Sequence, residues 1–227
     1  MVKIAIDGPS GAGKSTVSKA VAKKMGYIYV DTGAMYRAAA LGCICGEIDI
    51  KNNPDKAFEM VSYMDIDIKY SEDGSQLIFL DKENVTDFIR TPEVSIGASD
   101  ISKIPEVRLK LVDIQRKLGE TNNVIMDGRD IGTFVFPDAD VKIFLTASPE
   151  ERARRRHKEL IEKGQDVTFD EVLTDMRYRD KNDSTRAFAP LVPAEDSIML
   201  ETDGMNFEES VSKVLEIINE RLDKNAL

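Results

Sequence analysis

Three features of the sequence predict an α/β protein built on a parallel sheet of about five strands with helices on both faces. Short apolar runs alternate with segments of helical period. The glycine-rich stretch Gly8–Thr16 lies between the first run and the first helix. One hairpin-like pair interrupts the alternation. Strands buried on both faces read as continuous apolar runs, as a covered parallel sheet requires. The interruption predicts a small antiparallel insert on one edge.

In chain order, Val2 to Ile6 reads as a strand and Val17 to Met25 as a helix. Tyr27 to Val30 is a second strand, ending in Asp31-Thr32-Gly33, and a helix runs from Ala34 to about Cys45. Pro54 to Met64 is another helix. Ile66 to Tyr70 and Gln76 to Leu80 form the hairpin around a glycine-containing turn, and Lys82 to Val85 adds a short third strand. Pro92 to Ser102 and Pro105 to Leu118 are helices. In the second, Val107, Leu111, Ile114 and Leu118 repeat at helical spacing and should face the core. Val124 to Met126 and Val141 to Leu145 are strands. Ser148, Pro149 and Glu151 read as N-cap, N1 and the far end of a capping box, and Thr168 with Glu171 reads as a second box. Ile198 to Leu200 is the last strand. Asn206 to Glu209 caps a C-terminal helix with Phe207, Val211, Leu215, Ile218 and Leu222 as its buried stripe.

The chain has 227 residues and a net charge of −10, with 42% hydrophobic and 32% charged residues. That is ample for a core and typical of soluble globular proteins. The acidic balance argues against nucleic acid or an anionic membrane as partner. Any phosphate-bearing ligand then needs locally concentrated positive charge. Cys43 and Cys45, two apart on a helix, point about 200° away from each other, so free thiols are expected. No apolar run approaches the ~18 residues of a membrane span. The expectation is a cytoplasmic protein without a leader segment, its first strand starting at Val2.

Gly8-Pro9-Ser10-Gly11-Ala12-Gly13-Lys14-Ser15-Thr16 matches G-x-x-x-x-G-K-S in its expected strand–loop–helix context. The glycines let backbone N–H groups converge on phosphate oxygens, and the helix N-terminus adds partial positive charge. Lys14 can reach the β- and γ-phosphates and Ser15 can ligate Mg²⁺. The alternative, a chance glycine turn, leaves the flanking strand and helix unexplained. In open α/β sheets ligands gather at the carboxyl ends of strands. Two further segments end strands there: Asp31 to Arg37, which includes Thr32, and Asp127-Gly128-Arg129-Asp130. Arg152, Arg154, Arg155, Arg156, His157 and Lys158 form the local positive charge, read as a lid over phosphates or as a solvated helix face. Arg179 and Asp183, four apart on a helix, form an intrahelical ion pair or part of a site, and Arg186 opens a proline-containing loop. The lone His157 reads as surface.

The segments IDGPSGAGKST, DTGAMYR, EVSIGAS, VRLKLVDIQR, DGRDIGTFVFPDA, KIFLTAS and RAFAPLVPA occur in order along nearly the whole chain. In these the chain resembles the bacterial cytidylate kinases, within the phosphate-loop nucleoside-monophosphate kinases. The resemblance implies one unit over residues 1–227. Its core would be 1–62 and 103–227, its monophosphate-binding insert about 63–102 and its short lid about 152–168. It implies transfer of the γ-phosphoryl group of ATP to CMP or dCMP, with Mg²⁺, by a monomer. Gly8 and Ser10 to Thr16 would hold ATP and the metal. Ser99, Arg108 and Asp130 would read cytosine, and Arg37, Arg129 and Arg186 would hold the acceptor phosphate with Thr32 beside them. Arg179 and Asp183 would lie near the sugar. Lys14, Arg129, Arg155, Arg156 and Arg186 would stabilise the transferring group. The base assignment suits cytosine, whose N4 amino group a carboxylate accepts, whereas the uracil carbonyl would be repelled. Residues 181–185 read Lys-Asn-Asp-Ser-Thr, less arginine-rich than the family pattern, and leave CMP and dCMP both open. Two rivals remain: a phosphate-loop kinase for UMP, AMP or a small metabolite, and a nucleotide switch. A guanine switch calls for N-K-x-D, which the sequence lacks.

Overall fold

In the computed structural model, which describes residues 1–225, strands β1 (Lys3–Asp7), β2 (Ile28–Asp31), β6 (Val124–Gly128), β7 (Val141–Thr146) and β8 (Ile198–Glu201) form one sheet. The order is β2-β6-β1-β7-β8 and every pairing is parallel. Period-two alternation divides β1 and β6 between two cores. On β1, Ile4 and Ile6 join one core, with Val17, Val21, Leu145, Val214 and Ile218. Ala5 points to the other, with Met35, Ile101, Leu111 and Met126. Helices α1 (Lys14–Met25) and α8 (Phe207–Asn225) cover the first face. Helices α2 (Thr32–Cys45), α4 (Pro92–Ile101) and α5 (Pro105–Thr121) cover the second. The parallel sheet with two covered faces is therefore as the sequence predicts.

The interruption is a separate antiparallel sheet of β3 (Ile66–Tyr70), β4 (Gln76–Leu80) and β5 (Glu83–Asn84), preceded by α3 (Pro54–Tyr63). The register runs from Ile66 opposite Leu80 to Tyr70 opposite Gln76. Asp81 and Lys82 both take positive φ, 51° and 73°, in the tight turn from β4 to β5. Gln76 fastens this sheet to the large one: its side-chain oxygen accepts from Asp31 N at 2.7 Å and its amide nitrogen donates to Asp31 O at 3.2 Å. Helices α6 (Pro149–Glu162) and α7 (Phe169–Thr185) pack together through Ala153, Leu160, Val172 and Met176.

Three local expectations change, and one turn is added. Ser148 caps α6, but Glu151 does not close the box, because its carboxylate is taken by Arg154 and Arg155. Asp203 instead accepts from Ser148 N at 2.9 Å. On α8, Phe207 is 45% exposed, and Val214 and Ile217 are buried in its place, so the stripe turns toward the sheet. His157 is half-buried against the Val167 carbonyl at 3.0 Å and the Phe169 ring. After β6 the chain makes a π-helical turn, Ile131–Val135, which apolar periodicity does not signal. The Thr168–Glu171 box and the Asn206–Glu209 cap form as expected. Both cysteines are free.

Candidate active site

The phosphate loop leaves β1 at Asp7 and enters α1 at Lys14. Gly8 takes φ 149°, and a Cβ there would lie 1.9 Å from the Leu145 carbonyl oxygen. The absence of a side chain permits this close strand approach, and Ser10 to Thr16 line the cavity beyond it. The Lys14 ammonium is buried and donates to Pro9 O at 2.8 Å. Burial first, then the nearby Arg129 charge, pushes its pKa down to about 7. Ser15 Oγ donates to Asp127 Oδ2 at 2.9 Å, and Tyr29 donates to Asp127 Oδ1 at 2.8 Å. Asp127 ends the buried run of β6, and burial followed by the Asp31 charge pushes its pKa up to about 6. A carboxylate at a strand end beside the phosphate loop was the available signal for this residue. The sequence reading placed it in a site segment without giving it a role.

Across a cavity of about 510 Å³ the loop faces Arg37, Ser99, Arg108, Arg129, Asp130, Arg179, Asp183 and Arg186. The sequence reading placed all eight in one site, and one wall gathers them. Each expected phosphate-binding arginine stands on its own aspartate. Arg37 lies 3.6 Å from Asp31, Arg129 Nε lies 2.7 Å from Asp183, and Arg186 lies 3.2 Å from Asp130. Arg108, 1% exposed, also pairs with Asp130 and donates to Ser102 O at 3.3 Å. Arg179 does not pair with Asp183, which removes the intrahelical alternative. Its Nε has no hydrogen-bond partner, and burial followed by the charges of Arg129 and Arg37 pushes its pKa down to about 9. Ser99 Oγ accepts from Asn182 at 3.3 Å. The Thr32 hydroxyl lines the cavity but is committed to Asp127 O at 2.8 Å. Arg90, which sequence reasoning missed, lines the same wall and pairs with Asp31 at 3.0 Å. It lies in an irregular loop where no periodicity marks it.

The basic run on α6 divides. Arg155 and Arg156 line the cavity. Arg155 is moored to Thr202 O at 2.6 Å and Arg156 to Glu159 at 2.8 Å. Arg152 is buried beneath the phosphate loop, donating to Ser10 O at 2.9 Å and Ala147 O at 2.9 Å and pairing with Asp180 at 2.8 Å. Arg154 and Lys158 are solvated, 68% and 79% exposed in their side chains. The run therefore divides between residues that line the cavity and residues that face solvent.

Ser15 and Asp127 supply hard oxygen atoms of the kind Mg²⁺ takes alongside substrate phosphates. Among the described residues no group of three or more His, Cys, Asp or Glu side chains could hold a metal unaided. That suits an ion carried in with a nucleotide.

Comparison with known proteins gives a consistent result. A family model described as cytidylate kinase matches residues 4–220. The chain is 55% identical to the cytidylate kinase of Caldicellulosiruptor saccharolyticus over 216 residues, 95% of each chain. It is 51% identical to that of Clostridioides difficile over 216 residues, 95% of this chain and 97% of that one. The solved structure of a gluconokinase from Sinorhizobium meliloti superposes with a TM-score of 0.50 at 14% identity, covering 99% of this chain and 95% of that one. That likeness shows the fold alone.

Proposed function

The chain belongs to the cytidylate kinase family, and from that premise we propose that its cavity transfers the γ-phosphoryl group of ATP to CMP or dCMP, giving ADP and CDP or dCDP. The observation that carries the reading is one cavity lined both by a phosphate loop and by a set of arginines. A phosphate loop lies on one wall, and three aspartate-held arginines lie on the other, beside the buried Arg108–Asp130 pair.

On the donor side, the loop amides and Lys14 hold the phosphates, and Ser15 and Asp127 would hold Mg²⁺, which when bound would supply positive charge beside the phosphates. On the acceptor side, Arg37, Arg129 and Arg186 orient the monophosphate. Asp130, Arg108 and Ser99 accept and donate to cytosine, and Arg179 and Asp183 face the sugar. The acceptor is a phosphate oxygen with a second pKa near ~6, so it arrives largely deprotonated and needs no general base. His157, bonded to the Val167 carbonyl, is not among the cavity's lining residues. The chain's residues thus work by positioning and by stabilising charge. Residues 63–102 and 152–168 act as the insert and lid that close over the two nucleotides. Among the described residues no helix is long and apolar enough to cross a membrane. A cytoplasmic monomer acting on free nucleotides completes the reading.

The test is ADP release with Mg·ATP and CMP, dCMP, UMP, AMP or GMP in parallel. Strong turnover confined to CMP and dCMP is expected. Preference for another monophosphate would overturn the base assignment, and ATP binding without turnover on any acceptor would favour a nucleotide switch.

A further inference from the structure

A helical turn that begins at a buried strand end needs acceptors for its first N–H groups, and the residue just before it normally supplies one. For the π-helical turn Ile131–Val135 that residue is Asp130, and its side chain makes no capping bond. Both of its oxygens are turned to arginines, one to Arg108 and the other to Arg186 at 3.2 Å. The cap comes instead from Asp7, at the carboxyl end of β1. Its Oδ1 accepts from Ile131 N at 2.8 Å and its Oδ2 from Gly132 N at 2.7 Å. Asp7 is 5% exposed, and no role above uses it. The approach is close-fitting. A Cβ on Gly132 would stand 3.4 Å from Asp7 Oδ2 and 3.1 Å from the Lys142 side chain.

We propose that Asp7 is a positioning residue for base recognition: by capping the Ile131–Val135 turn from a neighbouring strand, it frees the Asp130 carboxylate to face the cavity. The inference rests on the reading of Asp130 as the cytosine-reading carboxylate. Asp7 is also the residue immediately before Gly8, so one residue sets the donor loop on its backbone and the acceptor turn on its side chain. A carboxylate suits the task because it accepts with both oxygens. An amide would turn a donor toward one of the two N–H groups. That would leave Asp130 as the competing cap and draw it off the cavity wall.

The experiment compares Asp7→Asn, Asp130→Ala and the unaltered protein. The readouts are the ratio of kcat/KM for CMP over UMP, and ATP affinity measured without acceptor. Asp7→Asn is expected to cut the ratio by about tenfold or more, through KM for CMP, as the loss of a charge-assisted bond pair implies. ATP affinity should hold or tighten slightly, since a negative charge near the phosphates is removed. Lost ATP affinity with the ratio intact would overturn the proposal and assign Asp7 to the phosphate loop. An intact ratio in Asp130→Ala would overturn the base reading itself and, with it, the purpose of the cap. An intact ratio in Asp7→Asn alone, with Asp130→Ala impaired, would overturn the cap only. Should Asp7→Asn not fold, amide hydrogen exchange on the unaltered protein decides. Strong protection at Ile131 and Gly132 is expected, and exchange at the rate of an open turn would overturn the proposal.

Discussion

The donor wall of the cavity presents backbone amides fixed by a loop of nine residues, with one buried lysine held to Pro9 O at 2.8 Å. The acceptor wall presents side chains. Arg37, Arg129 and Arg186 come from α2, the end of β6 and the end of α7, and each is held by an aspartate distant in sequence or, for Arg37, by the N-cap residue of its own helix. Both walls gather positive charge for a phosphate, by opposite means. The donor wall draws on a helix N-terminus and peptide dipoles, which need no counter-charge. The acceptor wall draws on guanidinium groups, whose burial would be prohibitive unless paired. The carboxylates hold three arginines in place, so that in the proposed reaction each would meet a phosphate with its geometry already set. On the proposed reading, a backbone cradle would accept any triphosphate, while a set of paired side chains would also read a base and a sugar.

The largest effect is expected on the donor wall. Lys14→Met should lower kcat by about a thousandfold or more, since the lysine stabilises charge on the transferring group. The same substitution should raise the thermal midpoint of the nucleotide-free protein, because burial makes the charged amine costly. The sign follows from the lowered pKa, about 7 against the ordinary 10.5. The folded state sheds a proton that the unfolded state keeps between those values. The cost is therefore full below about pH 7 and fades as pH rises toward 10.5. Melts of both proteins from pH 6 to 10 should show the gap narrowing. A Lys14→Met protein less stable at pH 6 than the unaltered one would show that the lysine's bond to Pro9 outweighs its burial.

This difference between the walls also decides what was legible in the sequence. The donor wall is contiguous, so Gly8 to Thr16 could be read with its flanking strand and helix as one object. Even there, the close approach of Gly8 to Leu145, a contact that only the sheet order creates, was not legible. The acceptor wall could be listed residue by residue but not assembled. Arg179 and Asp183 share a helix face by spacing, yet Asp183 pairs with Arg129, 54 residues away. Asp31, Asp127 and Asp7 occupy ordinary strand ends in the sequence. The carboxylates of Asp127 and Asp7 acquire work only where segments adjacent in space are far apart in the chain. Arg152 looks like its exposed neighbour Arg154, and helical phase alone drives it under the loop. The π-helical turn carries no apolar period and could not be foreseen.

An intermediate effect should come from loosening one acceptor pair. Asp183→Asn removes the charge that holds Arg129 and leaves a buried guanidinium without its partner. A stability loss of about 1–3 kcal/mol is expected. Burial works against the Asp183 carboxylate, but Arg129, then Arg186 and Arg179, hold its pKa below the ordinary 3.8. Its stabilising contribution is therefore complete above that value and lost as pH falls through the lower folded value, so acid melts of variant and unaltered protein should converge. In kinetics, KM for CMP should rise while ATP affinity stays put. Equal losses for both nucleotides would mean that the two walls are not separable, and the contrast drawn above would fail.

The smallest effects should sharpen the contrast along a single helix. On α6, Arg156 is 20% exposed in its side chain and lines the cavity, whereas Arg154 is 68% exposed and bonded to Glu151. Both are arginines, two residues apart on one helix. If long-range field alone mattered, their removal would cost the same. If placement over the transferring group matters, Arg156→Ala should lower kcat by about tenfold to a hundredfold, and Arg154→Ala should stay within about twofold. The exposed pair with Glu151 is screened by solvent and contributes little, so Arg154→Ala should also leave the thermal midpoint almost unmoved. A matched loss in the two variants, abolished together by added salt, would recast the basic run as a steering field, with no single arginine assigned to the reaction.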